Sequence, residues 1–511
     1  MPDTEQEYKK QIKELEQQVR LLREQVAFLT RKLYGTKSEK TSVLEIEGQM
    51  SLFNEMESCA GLDAHEPDLA EVEKHLRKRK HAGQREKLIK DIPRSKVLPT
   101  IDESEQICER CGGAMVKVGE EFVRTEVQFI PASLKVIDHY RETYECRTCR
   151  KNGTPYMEKS PVPCAPVMHS LASASTIAWL IRQKFEPGIP LYRQEKEWEA
   201  LGLSLSRATM SNWLLAACRD WLSCVVSHLR RELLKQEYLH IDETHVQALK
   251  EPGRKNTSDS YMWVYCSIRD CKQPVRYFEY QPGRGGKYPE AFLKGYTGYI
   301  HTDAYSGYNG VKGVTRCLCY THLRRAFVNA LPKDIHDPEA SKPAEAVVRL
   351  NKLFEIEKEL DGLLPEQKKK ERINREKRLL EAFWSWAETS SAGELPKSKL
   401  HTAFRYALNN RQEFFNYLED GHCSISNSLA ENCIRPFVIG RKNWLFAGSP
   451  KGAAASAGIY TLVETAKANG LNAMKYIKYI LSDMPGSRFL ENPEYLDDYL
   501  PWDPMVQERC R

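Results

Sequence analysis

YLHIDETHV (Tyr238–Val246) and YIHTDAYSGY (Tyr299–Tyr308) open alike: tyrosine, aliphatic, histidine, one variable residue, aspartate. Both runs are β-prone and both finish on an acid, Asp242 in the first and Asp303 in the second. Between them YMWVYCSIRD and PVRYFEYQPG read as two more strands, and GKYPEAFLKGY as a helix. After Asp303 come a strand, VTRCLCY, and a helix, THLRRAFVNAL. Three meandering strands followed by alternating helix and strand predict a mixed sheet with helices on its faces. In such sheets ligands gather at strand ends. Two aspartates ending neighbouring strands would share one crevice, where like charges repel unless a cation neutralises them. Mg²⁺ does so while keeping waters for substrate phosphates. For a single aspartate the plainer reading is a strand-end residue that binds its own backbone.

A third acid stands far downstream. SNSLAENCIRPFVIGRKNWLFAG (Ser426–Gly448) holds Glu431 among bases, amides and aromatics. Ser428 and Glu431 form S-x-x-E, the pattern of a capping box, with Arg435 four residues on as an intrahelical partner. Against that, Arg435, Arg441, Lys442, Trp444 and Lys451 beside several glycines suit a phosphate backbone and a stacked base. The charged helical stretch between the sheet and this segment, 333–424, reads as an insertion. The core would then comprise 236–332 and 425–482, followed by a tail, 483–511, without a readable pattern.

The front of the chain is modular. Ile12, Leu15, Val19, Leu22, Val26, Leu29 and Leu33 alternate spacings of three and four, an a/d seam that predicts a coiled coil over 6–34 and a homodimer or larger assembly. A single amphipathic helix packed on its own protein is the alternative. A linker follows over 35–99, with a basic arm that includes Arg77, Lys78, Arg79 and Lys80, either a solvated charge run or a phosphate-tracking segment. Cys108 and Cys111 in CERC, and Cys146 and Cys149 in CRTC, present four thiolates at the spacing of a zinc ribbon over 100–160, with EFVRTEVQFI and LKVIDHYRETYEC as its strands. Leu191–Leu222 reads as two helices around Gly202, with Ser204 or Ser206 capping the second. Within 167–232 this fits either a helix-turn-helix or an ordinary helical hairpin. Arg207 in this region, and Arg324 and Arg325 in THLRRAFVNAL, join the side chains expected to meet DNA.

Length and composition set the limits. The 511 residues allow roughly three domains. With 76 basic and 70 acidic residues the formal charge is only +6, so a polyanion partner has to be argued from local clusters. No run of eighteen apolar residues or leader pattern is visible, which leads to the expectation of a cytoplasmic protein without a membrane partner. There, paired cysteines read as metal ligands before disulfides.

Taken together, LYGTKSEK, CERCGG with CRTC, HIDETHV, HTDAYSGY, CYTHLRRAF, LAENCIRPFVIGRKNWLFAGSPKGA and LVETAKANGL resemble the transposases of the insertion-sequence sixty-six family, in that order from Leu33 to about Leu471. The resemblance implies a bacterial DDE enzyme with a ribonuclease-H-like mixed-sheet core carrying a helical insertion. This makes the fold class multidomain: coiled coil, zinc ribbon, helical DNA-binding domain and α/β core. It implies that Asp242, Asp303 and Glu431 are the catalytic acids holding two Mg²⁺ (or Mn²⁺), with one structural Zn²⁺ in the ribbon. It further implies double-stranded DNA, both element ends and target, as substrate, and element-encoded accessory proteins as partners. Cys319 and His322 fall in the family's C-x-x-H pattern, as a second metal pair or simply a strand end meeting a helix start. Where the family shows paired asparagines, this chain has Asn427 and Ser428. The rival expectations are a catalytically silent DNA-binding regulator and a nuclease that cuts without joining.

Overall fold

The computed structural model describes residues 134–140, 142–147, 151–153, 157–159, 162–331, 341–487, 489 and 491–511. The zipper seam, the linker with its basic arm, and Cys108, Cys111 and Cys149 lie outside the described residues. In the ribbon region β1 (Thr143–Glu145) pairs antiparallel with β2 (Met157–Lys159), and Cys146 follows β1, half-buried. The strand expected across LKVIDHYRETYEC is thus short. Residues 134–140 carry no regular structure, and Val136, Ile137 and Tyr140 are exposed. An alternating run becomes strand only where one of its faces is covered.

Helices α1 (Ala174–Phe185), α2 (Leu191–Ala200), α3 (Arg207–Ala217) and α4 (Ser223–Leu234) come next, α3 and α4 joined by a π-turn at Cys218–Leu222. Gly202, at φ +90°, makes the turn after α2 in a conformation that side-chain-bearing residues avoid. Ser206 caps α3 by accepting the Thr209 N–H at 3.2 Å, which settles the choice between Ser204 and Ser206. These helices have no core of their own. Ile177, Leu180, Met210, Trp213 and Leu229 share one apolar cluster with Leu239, Ile241, Val264 and Phe278 of the sheet.

The sheet is mixed. Its strands are β3 (Tyr238–Ala248), β4 (Asp259–Ser267), β5 (Arg276–Gln281), β6 (Tyr299–Thr302) and β7 (Thr315–Leu318), in spatial order β5-β4-β3-β6-β7. The first three form an antiparallel meander. β6 and β7 then add in parallel, after α5 (Lys287–Phe292) and a short 3₁₀ turn respectively. Parallel neighbours need such crossovers, and the helix–strand alternation read from the sequence supplies them. Helix α6 (Tyr320–Asn329) leaves β7.

The insertion comprises α7 (Lys342–Glu359), α8 (Pro365–Arg375), α9 (Lys377–Ser391), α10 (Lys399–Asn409) and α11 (Arg411–Phe415). Its aromatic and aliphatic residues, among them Leu350, Phe383, Trp384 and Phe414, form a second apolar cluster with Leu318, Tyr320, Leu323 and Phe327 of β7 and α6. The chain then returns as α12 (Ser428–Trp444), β8 (Phe446–Ala447), α13 (Pro450–Ala468), α14 (Ala473–Asp483) and α15 (Pro504–Cys510). Helix α13 covers the sheet edge. Its Thr461 and Thr465 hydroxyls accept the backbone N–H groups of Phe278 and Arg276 on β5, at 2.9 and 3.0 Å, so that edge offers few free donors. The tail is part of the body, since Leu496, Tyr499, Leu500 and Val506 join the first apolar cluster. Among the described residues no helix is long and apolar enough to cross a membrane.

Candidate active site

β3 and β6 pair with Tyr238 opposite Tyr299 and His240 opposite His301. The repeated motif therefore falls in one register, and the same offset sets Asp242 against Asp303, one residue beyond β6. The tyrosine rings stack with centroids 5.4 Å apart and the buried histidine rings at 4.3 Å. The expectation that both strands end on their acid holds for β6 alone. β3 runs on to Ala248, because β4 pairs it as far as Gln247 and β8 joins it in parallel at Gln247 and Ala248.

Asp303 does bind its own backbone, as the plainer reading held. Its Oδ1 accepts the Tyr305 N–H at 2.9 Å. Its Oδ2 lies 3.8 Å from the Arg284 guanidinium. The turn is pinned from β7 by Arg316, which donates to the carbonyl oxygens of Asp303 and Tyr305 at 2.6 and 2.9 Å. Arg284 also donates to Glu243 at 2.6 Å and lies 3.8 Å over the Tyr305 ring. Glu243 accepts from the Tyr308 hydroxyl as well, at 2.5 Å. Burial raises the Asp242 carboxyl well above the usual carboxylate range; the charge of Glu243 adds to this, and Glu431 and Asp303 contribute further. The three acids named from the sequence are thus electrostatic neighbours. Among the described residues no basic side chain forms an ion pair with Asp242, whereas Glu243 and Asp303 share Arg284.

Glu431 is not a capping residue. Helix α12 starts at Ser428 with Asn427 at the cap position, so Glu431 falls one place beyond where a capping box would put it. Ser428 is exposed, and its hydroxyl bonds that of Ser426 at 2.9 Å. Glu431 Oε1 is buried without a hydrogen-bond partner, and the side chain nearest to it is His322, with Nε2 at 3.8 Å, rather than Arg435.

Buried Asn427 sets this helix against the sheet. Its Oδ1 accepts from His240 Nδ1 at 2.9 Å, its Nδ2 donates to the Ile241 carbonyl at 2.7 Å, and its backbone N–H donates to Cys319 Sγ at 3.2 Å. Three of the chain's separate motifs therefore meet on one side chain and its amide. Beside them a cleft of about 390 Å³ is lined by Arg284, Asp303, Tyr305, His322, Arg325 and Tyr406 among others.

The remaining basic residues divide. Arg207, Arg325, Arg435, Lys442 and Lys451 are exposed. Arg324 donates to Asn351 of the insertion at 2.6 Å, and Arg441 donates to Thr244 and to the His245 carbonyl on β3. Trp444 is half-buried. It lies back over Gly440, where a Cβ would strike its ring, and packs against Phe437 and Tyr460. Sequence reading missed Glu243, Arg284, Tyr308 and Arg316. Only the acid doubled at 242–243 hinted at the first, and nothing local pointed to the others.

A family model described as "Transposase IS66 family" matches residues 169–455, more than half of the chain. The chain belongs to the IS66 transposase family. A second model, the zinc-finger binding domain of transposase IS66, matches 105–150, which covers all four ribbon cysteines and supports a structural zinc there. A third, described as transposase C of IS166 homeodomain, matches 21–97. The chain is also similar to two uncharacterized proteins of Sinorhizobium fredii. One, y4hP, is 27% identical over 507 residues, covering 93% of this chain and 87% of its own length. The other, y4qI, is 26% identical over 479 residues, covering 89% and 84%. No solved structure matches.

Proposed function

We propose that this IS66-family chain is a DDE transposase that cuts the ends of its element and joins them to target DNA, with Asp242, Asp303 and Glu431 as its catalytic acids. The observation that carries the reading is their convergence from three remote stretches. β3 and β6 place two of them in one register, and Asn427 fastens the helix of the third to the strand of the first. A ribonuclease-H-like core belongs to the same proposal. Its support is the strand order β5-β4-β3-β6-β7, with an antiparallel meander followed by two parallel additions.

The donor set suits Mg²⁺, a hard ion that takes carboxylate oxygens. Asp242 has a raised carboxyl and no ion pair among the described residues, and Glu431 Oε1 is an orphaned buried acceptor. Asp242, Asp303 and Glu431 would hold the ions. When bound, they supply Lewis-acid stabilisation of the phosphoryl oxygens and lower the pKa of an attacking water. The chain's own residues position the DNA. Arg284 and Arg325, facing the cleft beside Asp303, meet backbone phosphates, and Arg316 keeps the Asp303 turn from shifting as the strand enters. No protein nucleophile takes part. The zinc ribbon, basic arm and helices α2 and α3 recognise the element ends, and the zipper brings protomers to paired ends.

The test is an assay on labelled DNA taken from the two flanks of the gene, with Mg²⁺. Joined product supports transposition. Cleavage without joining supports a nuclease, and binding with neither supports a silent regulator.

A further inference from the structure

Two groups of metal-binding side chains stand near the acids, and apart from Glu431 none of their members has a part in the mechanism above. The first is His301, Cys317 and Cys423, all buried. Its imidazole is already committed: Nε2 accepts the Ser424 N–H at 2.8 Å and Nδ1 faces the Leu239 carbonyl at 3.3 Å. No nitrogen lone pair is left for an ion. The second is Cys319, His322 and Glu431, whose ligand atoms all lie within 4.8 Å of one another. Here Cys319 Sγ accepts the Asn427 N–H at 3.2 Å, while the other two side chains each keep an unpaired polar atom. His322 Nδ1 and Glu431 Oε1 are both buried polar atoms without a hydrogen-bond partner. Leaving two such atoms unpaired is costly unless a ligand meets them.

We propose that Cys319, His322 and Glu431 form a binding site for one divalent transition ion of the zinc class, distinct from the zinc of the four-cysteine ribbon. Thiolate, imidazole and carboxylate together are a borderline-soft set, which zinc accepts and magnesium does not. Cys319 sits at the junction of β7 and α6 and His322 in the first turn of that helix, so the chain presents both from one short, rigid corner. The Asn427 N–H directed at Cys319 Sγ, at 3.2 Å, stabilises the sulfur as an anion, as ligating thiolates require. His322 also lines the cleft, which gives the ion a route in and a fourth position open to water or a phosphate oxygen. Because Glu431 belongs to both sets, zinc-class and magnesium ions would compete for one carboxylate.

The test measures the metal content of the purified full-length chain after zinc loading and dialysis, with a cobalt-substituted sample for thiolate-to-metal absorption. The wild type is expected to hold two equivalents. Cys319→Ser and His322→Ala should each hold one and lose part of the cobalt–thiolate band, and Cys108→Ser should lose the other equivalent. His322 is partly exposed, so its variant tests the site even where Cys319→Ser disturbs the junction. A wild type with one equivalent, or two equivalents that survive both Cys319→Ser and His322→Ala, overturns the proposal. Neither result bears on joining in Mg²⁺, so this site and the transposase reading fail separately.

Discussion

Two of the places where the protein buries charge treat it in opposite ways. In the insertion Arg372 is fully buried, and all five of its N–H groups are used. Two meet Glu357, at 2.6 and 2.8 Å, and three meet the carbonyls of Tyr417, Asp420 and Cys423, at 3.2, 3.1 and 2.8 Å. Burial pushes Glu357 up, but the guanidinium outweighs it and holds that carboxyl below its usual range. At the sheet the ratio is reversed. Asp242, Glu243, Asp303 and Glu431 crowd together with Arg284 as their near cation, and with the His322 ring 3.8 Å from Glu431. A buried charge that serves the fold is paired; one left short of partners is held for something that arrives later.

Four experiments break or sharpen this contrast. The largest effect is expected at the sheet. Asp242→Asn, Asp303→Asn or Glu431→Gln should lower cleavage and joining of labelled ends by at least about a thousandfold. Circular dichroism should show each folded as before. If one of them unfolds the chain instead, that acid serves structure as Glu357 does.

In the insertion the expectation is reversed. Arg372→Met leaves Glu357 with only Lys368, at 3.4 Å, and strands three carbonyls, so urea unfolding should show a loss of about 3–5 kcal/mol. Glu357→Leu added to Arg372→Met should recover part of it, since removing both charges costs less than leaving one. A single variant within about 1 kcal/mol of the wild type would mean that the knot is not structural.

A smaller effect, and one that depends on pH, is expected at Glu376, which accepts from the Tyr417 hydroxyl at 2.6 Å. Burial first, and then the charge of Glu357, raise its carboxyl to about 7. The folded state therefore keeps a proton that the unfolded chain releases at ordinary glutamate values. Stability contributed by this group falls as pH climbs from the usual glutamate range through about 7. Glu376→Gln, which keeps the acceptor for Tyr417, should gain up to about 3 kcal/mol at pH 8 and nothing near pH 4. An equal gain at both values would contradict the shift.

The smallest effect is expected at Ser428, the family's departure point. Its side chain is exposed and touches Ser426. Ser428→Asn should therefore change stability by less than about 0.5 kcal/mol and leave joining within about twofold. A large gain in joining would mean that the serine weakens the natural enzyme.

What was legible in the sequence was local. Strand and helix order from Tyr238 to Asn329 followed from periodicity and breakers, and the twin motifs at 238 and 299 announced their own pairing. The full length of β3 was not legible, because its last two residues, Gln247 and Ala248, are joined by β8, which lies about two hundred positions away in the chain. The S-x-x-E pattern misled for a similar reason. Asn427 is drawn into the sheet by His240 and Ile241, and the helix begins one residue earlier than local capping chemistry predicts. Arg284 and Arg316 find their partners only through the fold. The tail showed no period because its apolar residues are scattered among short 3₁₀ turns, yet they finish the main cluster.

The anchoring of the Cys423 carbonyl by Arg372 bears on timing. A ribosome making this chain releases both aspartates long before α12, and the segment leading into α12 is secured only when the insertion has closed around its buried arginine. The three acids of the proposed site therefore come together only once most of the polypeptide has been made.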